Sequence, residues 1–143
     1  FGKTLVYSLD FKKSSSKTAF YLYATNRANE FARKHPSIFS AVSELPEDKI
    51  DILAIFGSYA KGAQHERSDI DIICVTSESE LTDKIRALKH AYNKNFSPVV
   101  LPKNEFAKIK TENKEFWHDL VKYGIIFKGY ELFYYYAYFI EKK

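Results

Sequence analysis

The sequence predicts an α/β (α+β) fold in which a small, mixed and twisted sheet is flanked by helices. Two apolar segments rich in β-forming residues, 51–56 and 69–75, follow each other in the middle of the chain. Segments whose apolar residues recur at helical spacing precede and follow this pair. A doubly wound parallel sheet is the alternative, but that fold requires a glycine-rich fingerprint that the sequence lacks.

Length and composition indicate a globular domain. The 143 residues are 45% hydrophobic and 28% charged, which is typical of a chain with a substantial core. The net charge of +4 is compatible with a nucleotide or nucleic-acid partner and equally with ordinary solubility. The single cysteine, Cys74, excludes an intramolecular disulfide and a zinc cluster of several cysteines. A signal peptide and a membrane-spanning run are both missing, so a cytoplasmic location without a membrane partner is expected.

Residues 1–12 are predicted to form a terminal strand, because the segment 4–9 is rich in β-formers. This strand is either a plain edge or connector, or the last strand of something upstream. Residues 13–143 then form the main domain. Ser14, Ser15 and Ser16 are N-cap candidates for a long helix that ends before Pro36. Its predicted buried stripe is Phe20, Ala24, Ala28 and Phe31.

Helical and strand patterns continue to alternate after the long helix. A short helix is predicted over 37–45, before the two apolar segments. After them the sequence predicts a helix capped by Ser77 or Ser79, a strand over 96–101, a helix over 113–123 ended by Gly124, and a strand over 125–127. The long helix is expected to cover the sheet.

Two acidic residues open the second apolar segment. Asp69 and Asp71 are two positions apart on a predicted strand, so they share one face and lie roughly 6–7 Å apart along the chain. Ile70, Ile72 and Cys74 then enter the core behind them. Because two like charges at this spacing repel each other, the pair indicates a divalent cation, and Mg²⁺ is the usual choice with oxygen ligands and phosphates.

Gly57 and Ser58 follow the first apolar segment and predict a sharp turn into a short helix that Gly62 ends. Glycine permits a positive φ and a close backbone approach, and the start of a helix offers free N–H groups to a phosphate. Lys61 is one helical turn further on, where it either reaches a phosphate or is a surface lysine. Ser68, directly before Asp69, is a further nucleotide-binding candidate. In the same loop, His65 and Arg67 are either solvated or contact the nucleotide or the acceptor.

The Gly-Ser turn after one strand, followed by Asp69-x-Asp71 on the next, resembles the signature of the DNA polymerase β-like nucleotidyltransferase superfamily. The form of these residues is most similar to the minimal nucleotidyltransferases of archaea and bacteria. The resemblance implies a nucleotidyltransferase-like fold and transfer of a nucleotidyl group, with Mg²⁺ or Mn²⁺ and ATP or another NTP. The implied acceptor is a hydroxyl of a protein, an RNA or a small molecule, and an antitoxin that adenylylates its partner toxin is one possibility. Asp69 and Asp71 would hold the metal as catalytic residues, and Gly57 and Ser58 would position the β and γ phosphates.

The third strand departs from the family pattern. Active members of the superfamily carry a third carboxylate there, whereas the segment 96–101 contains no acid. Ser97 is its nearest polar residue, Pro98 follows, and Glu105 lies beyond a second proline. The alternative function is therefore a weak or inactive nucleotide-binding module. Some archaeal proteins that this chain resembles carry a winged-helix domain upstream, so the module could be linked to a DNA-binding regulator, with residues 1–12 as the remnant of that domain.

The C-terminal segment from residue 130 is predicted to be an aromatic helix. Its inward stripe is predicted to be Leu132, Tyr136, Phe139 and Ile140, which leaves Phe133, Tyr134, Tyr135 and Tyr138 outside. An exposed aromatic face favours an interface, so the helix is expected to form a homodimer or to contact another domain or protein. A helix lodged in a groove of its own domain is the alternative.

Overall fold

The computed structural model describes residues 13–138. The strand predicted within residues 1–12, together with Phe139 and Ile140, lies outside this range. The described elements are α1 (Ser14–Lys34), α2 (Pro36–Ser43), a 3₁₀ turn (Glu47–Lys49), β1 (Ile52–Phe56), α3 (Gly57–Lys61), β2 (Ile70–Val75), α4 (Leu81–Tyr92), β3 (Phe96–Leu101), α5 (Lys103–Glu112), α6 (Lys114–Tyr123), β4 (Ile125–Lys128) and α7 (Tyr130–Tyr138). Within that range, no helix is both long and apolar enough to cross a membrane.

The four described strands form one mixed sheet, as predicted, and their order is β3-β2-β1-β4. β1 is antiparallel to both β2 and β4, whereas β2 and β3 are parallel. A cluster of buried side chains packs on each face of the sheet. Ile70, Ile72 and Cys74 pack on the side of α2 and α4, and Ile73 and Val75 pack on the side of α5, α6 and α7. The alternation of side chains along β2 therefore directs Asp71 to the second side.

α1 covers the β4 edge of the sheet, which agrees with the predicted role of the long helix. Its predicted stripe is confirmed, since Ala24, Ala28 and Phe31 are buried and Phe20 packs partly against the core. The predicted serine caps are wrong. α1 begins at Ser14 with Lys13 in the N-cap position, and no side chain caps it.

The cap predicted for α4 is also wrong. Glu80 occupies the N-cap position of α4 and no side chain caps the helix there. The Thr76 hydroxyl accepts from the Glu78 N–H at 3.0 Å and donates to the Lys49 carbonyl at 2.6 Å. Backbone carbonyls accept from the first N–H groups of α4, since the Leu81 N–H donates to the Glu78 carbonyl at 3.1 Å and the Thr82 N–H donates to the Ser79 carbonyl at 3.2 Å.

The helix α5 was not predicted from the sequence. Pro102 is the N-cap residue, and its carbonyl accepts from the Glu105 and Phe106 N–H groups at 3.1 and 3.0 Å. Proline is tolerated at a helix start because the first N–H groups have no partner within the helix. Phe106 is the fully buried residue of α5 and joins it to the core.

β3 lies at one edge of the sheet and carries Pro98 without a break in the ladder. The Ile70 N–H donates to the Asn95 carbonyl at 2.9 Å, and the Thr76 N–H donates to the Leu101 carbonyl at 3.0 Å. The backbone groups of odd-numbered residues in β3 therefore face β2. The nitrogen of Pro98 points to the outer edge, where a proline costs no ladder hydrogen bond.

The orientation predicted for the aromatic α7 is wrong. Phe133 and Tyr134 are each only 1% exposed, although both were predicted to lie outside, whereas Leu132 and Tyr136 are only half-buried. Tyr138 is half-buried, and Tyr135 is 51% exposed, as predicted.

The physical reason is that α7 is contacted from two sides. The Phe20 ring of α1 lies 5.0 Å from the Tyr134 ring, and the Phe106 ring of α5 lies 5.4 Å from the Tyr136 ring. The helix is lodged in its own domain, so the argument for a homodimer through an exposed aromatic face no longer holds.

Candidate functional site

The turn between β1 and α3 has the geometry that its glycines predict. Gly57 has φ +72°, and the short helix α3 ends at Gly62 with φ +71°. The Ala63 N–H donates to the Ser58 carbonyl at 2.9 Å and closes the helix. Both positions are left-handed backbone, which side chains other than glycine rarely adopt. Ser58 is half-buried next to Gly57, at the end of a buried strand.

The Gly57 turn and the acidic strand are in direct contact. β1 and β2 are antiparallel with Phe56 opposite Asp71, which brings the end of one strand beside the start of the other. A Cβ atom added to Gly57 would lie 2.1 Å from the Asp71 Oδ2 atom. The Asp71 carboxylate therefore lies against the Gly57 Cα, in space that a larger residue would occupy.

The two aspartates are electrostatically coupled. Partial burial raises the pKa of the Asp71 carboxyl above its usual value, and the charge of Asp69 raises that pKa further. Asp69, directly before β2, is exposed, whereas Asp71 is half-buried. Ionisation of both carboxylates is therefore unfavourable while no cation is bound. A bound cation would relieve the repulsion between them.

The donor set fits a divalent cation only together with a nucleotide. Among residues 13–138, no group of three or more His, Cys, Asp or Glu side chains is placed to hold a metal ion. Asp69 and Asp71 offer two carboxylates. Mg²⁺ is commonly held by one or two carboxylates, with substrate phosphates and water completing its shell. The residues present fit a metal ion that arrives with the phosphates.

Ser97 on β3 lies opposite Asp71 on β2. The parallel register pairs these two residues, so their side chains lie on the same face of the sheet. Ser97 is exposed, and it supplies a hydroxyl where a third carboxylate would be close to the pair. Glu105 is exposed in the first turn of α5, and it is not part of β3.

Lys61 is held by α6. Its Nζ lies 3.0 Å from the Asp119 Oδ2 atom and 5.3 Å from the centre of the Tyr123 ring. Asp119 could not be predicted as a partner of Lys61, because only the packing of α6 against α3 brings the two residues together. The ion pair is well exposed on both sides, so it is worth little to the stability of the fold.

Ser68 shapes the loop that precedes Asp69. Its hydroxyl accepts from the His65 N–H at 2.9 Å, and its own N–H donates to the His65 carbonyl at 3.0 Å. The Arg67 N–H donates to the Nδ1 atom of the His65 ring at 3.2 Å. The loop is thus ordered by its own polar groups, and it places Asp69 at the start of β2.

A comparison with protein families identifies the chain. Residues 41–130 match the family described as Polymerase beta, Nucleotidyltransferase. This chain belongs to that nucleotidyltransferase family. The matched range contains the Gly57 turn, both aspartates, Lys61, Ser68 and Ser97.

A curated protein supports the same assignment. The nucleotidyltransferase is 32% identical over 91 residues to the "Putative protein adenylyltransferase" of Methanocaldococcus jannaschii, and the match covers 59% of this chain and 85% of the relative.

Two solved structures are weakly similar. The first is a toxin-antitoxin with AMP-PNP, which is 19% identical with a TM-score of 0.46. The second is a mutant of the toxin-antitoxin MntA-HpeT, which is 17% identical with a TM-score of 0.46. Each match covers 78% of this nucleotidyltransferase and 79% of the other chain. These similarities are too low to carry any feature of those complexes over to this chain.

Proposed function

We propose that this nucleotidyltransferase transfers an adenylyl group from ATP to a hydroxyl group of a protein. Family membership supports nucleotidyl transfer, and the name of the archaeal relative supports an adenylyl group and a protein acceptor. The observation that carries the proposal is the contact between the Asp71 carboxylate and the Gly57 backbone. It joins a candidate metal ligand to a candidate phosphate-binding turn.

Each candidate residue has a role in this proposal. Asp69 and Asp71 are the ligands of Mg²⁺ or Mn²⁺, and the Gly57 and Ser58 turn receives the β and γ phosphates of ATP. A bound metal ion would supply positive charge that neutralises the departing pyrophosphate. Lys61 can leave the exposed ion pair with Asp119 to reach a phosphate. Ser68 keeps the preceding loop in position.

The reaction is a single displacement at the α-phosphorus. The acceptor oxygen forms a bond to that phosphorus, the bond between the α-phosphorus and the bridging oxygen breaks, and pyrophosphate leaves with the electron pair. The hydroxyl proton passes to solvent, because β3 offers Ser97 and no carboxylate beside Asp71. Lack of a positioned general base typically costs on the order of 10²–10⁴ in rate, so we expect slow turnover.

The test uses two forms of labelled ATP with Mg²⁺ and candidate acceptor proteins. Adenylyl transfer moves label from the α-phosphate to the acceptor and none from the γ-phosphate, whereas a kinase gives the opposite result. The matched control is the Asp69→Asn/Asp71→Asn variant, which keeps side-chain volume and removes both charges. Equal labelling by the control variant would remove these residues from the chemistry.

A serine rather than a carboxylate lies opposite Asp71 at position 97. This favours a second candidate function, which is binding of ATP without turnover. In that case Mg²⁺ and ATP together raise the melting temperature, but neither pyrophosphate nor labelled acceptor appears. A link to DNA through an upstream domain belongs to this candidate, and it concerns residues outside the described range. Pyrophosphate release measured beside the melting temperature distinguishes the two candidates.

A further inference from the structure

Two polar cavities lie on either side of Tyr59. A cavity of about 350 Å³ is lined by α1, α3 and the loop after α3. A smaller cavity of about 130 Å³ is formed by the loop before Asp69 and the residues before β3. Tyr59 lines both, and its ring contacts the His35 ring with centroids 5.4 Å apart. We call the two cavities together the Tyr59 groove.

The Tyr59 groove is rich in positive charge. Its basic residues are Arg27, Lys34, Lys61, Arg67 and Lys94, and its acidic residues are Glu30 and Glu66. The basic residues of the larger cavity already have partners. Lys34 pairs with Glu30 at 3.0 Å, Lys61 pairs with Asp119 at 3.0 Å, and an Arg27 N–H donates to the Ala60 carbonyl at 3.2 Å.

Two basic residues without a described salt-bridge partner line the smaller cavity. In the part of the chain that the structure describes, neither Arg67 nor Lys94 takes part in a salt bridge. Both line the smaller cavity together with Ser68, which directly precedes Asp69. Two cations without salt-bridge partners in the described chain therefore line the cavity that Ser68 borders, one residue before Asp69.

His35, which lines the larger cavity, lies near the positive charges of two lysines. Burial lowers the pKa of its imidazole, and the charges of Lys94 and Lys34 lower that pKa further. The lowered pKa favours the neutral imidazole, so His35 adds little positive charge of its own to the larger cavity.

We infer that the acceptor is a protein that presents acidic side chains to the Tyr59 groove. Arg67 and Lys94 would pair with carboxylates beside the hydroxyl that is modified, and this inference rests on the proposed function. A nucleic-acid strand fits less well, since its continuous row of phosphates would meet Glu30 and Glu66. Tyr59 is also engaged by His35, so the groove offers bases little surface for stacking.

The binding test needs no catalysis. A fluorescein-labelled peptide of alternating Glu and Tyr is titrated with the protein, and fluorescence anisotropy gives the affinity. The Arg67→Glu/Lys94→Glu variant is expected to bind about tenfold more weakly or worse, because each reversal places like charges together. The matched control is Lys84→Glu/Arg86→Glu, which makes the same charge change on α4, at the opposite end of the sheet. It is expected to bind like the wild type.

Three outcomes would overturn the inference. The first is equal weakening by both variants, which indicates only a net-charge effect. The second is loss of ATP–Mg²⁺ binding in Arg67→Glu/Lys94→Glu, because the cations would then serve the nucleotide. The third is tighter binding of an oligouridine RNA than of the acidic peptide, with the same dependence on Arg67 and Lys94, which assigns the groove to nucleic acid.

Failure of the inference and failure of the proposed function can be told apart. Groove-dependent peptide binding without any adenylyl transfer supports the acidic-partner surface and contradicts the enzyme. Adenylyl transfer that is unchanged in Arg67→Glu/Lys94→Glu supports the enzyme and contradicts the groove as its acceptor site.

Discussion

The Asp71 carboxylate fills the space into which a side chain at position 57 would project, and Gly57 is also left-handed at φ +72°. Gly57→Ala is therefore expected to act twice. It adds a backbone cost of about 1–2 kcal/mol, and it displaces Asp71 and so removes the thermal stabilisation by ATP–Mg²⁺. Urea unfolding and melting temperatures with and without ATP–Mg²⁺ measure the two effects.

Gly62 is the matched control for that substitution. It has nearly the same φ of +71°, but a Cβ there would meet nothing within 4 Å. Gly62→Ala should lower the stability only through the backbone conformation, and ATP–Mg²⁺ should still raise the melting temperature of this variant. In addition, Gly57→Ala should cost less free energy when Asp71 is already alanine. Additive effects in that double-mutant cycle would contradict the steric explanation.

Asp71→Asn should remove a pH-dependent loss of stability. Burial and Asp69 raise the pKa of Asp71, so ionisation of Asp71 opposes folding. Its contribution to stability is present below the unfolded pKa and is lost as the pH rises through the folded pKa. Without metal, the melting temperature of wild type should therefore fall relative to Asp71→Asn as the pH rises through the acidic range. A difference that does not depend on pH would contradict this.

Ser97→Asp should increase activity. The new carboxylate would lie across from Asp71 on the same face and could act as the missing base, so a gain on the order of 10² in rate is expected. Val99→Asp is the control, since it adds the same charge two residues further along β3, opposite the buried Ile73. Pyrophosphate release measures both variants, and an equal response would show that position is unimportant.

Lys61 and Asp119 allow the two roles of the lysine to be separated. Their exposed ion pair contributes less than about 1 kcal/mol, so Lys61→Met and Asp119→Asn should have similar small effects on unfolding. If Lys61 binds a phosphate, only Lys61→Met weakens the affinity for ATP–Mg²⁺, as measured by calorimetry. Equal affinities in the two variants would leave Lys61 with a purely structural role.

Tyr134 and Tyr135 test the corrected orientation of α7. Tyr134 is 1% exposed, so Tyr134→Ser should lower the free energy of unfolding by about 3–5 kcal/mol. Tyr135 is 51% exposed, and Tyr135→Ser should change that free energy by no more than about 0.5 kcal/mol. Sedimentation of both variants beside wild type shows whether either one alters association. Similar stabilities would mean that Tyr134 is not buried as described.

Local patterns were sufficient for the strands and for the composition of the site. The apolar runs predicted β1, β2, β3 and β4 close to their observed bounds. The Gly57 turn and the Asp69 and Asp71 spacing could be predicted for the same reason, since positive φ and side-chain alternation are properties of a few consecutive residues.

Tertiary structure decided what depends on residues far apart in the chain. The register of β2 and β3 places Ser97 beside Asp71, and the packing of α6 brings Asp119 to Lys61. α7 shows the limit most clearly, because helical spacing can predict one buried stripe but cannot predict that a helix will be covered from two sides. Contacts with α1, α5 and α6 determine which residues of α7 are buried. Those contacts form only when these helices pack against the assembled sheet.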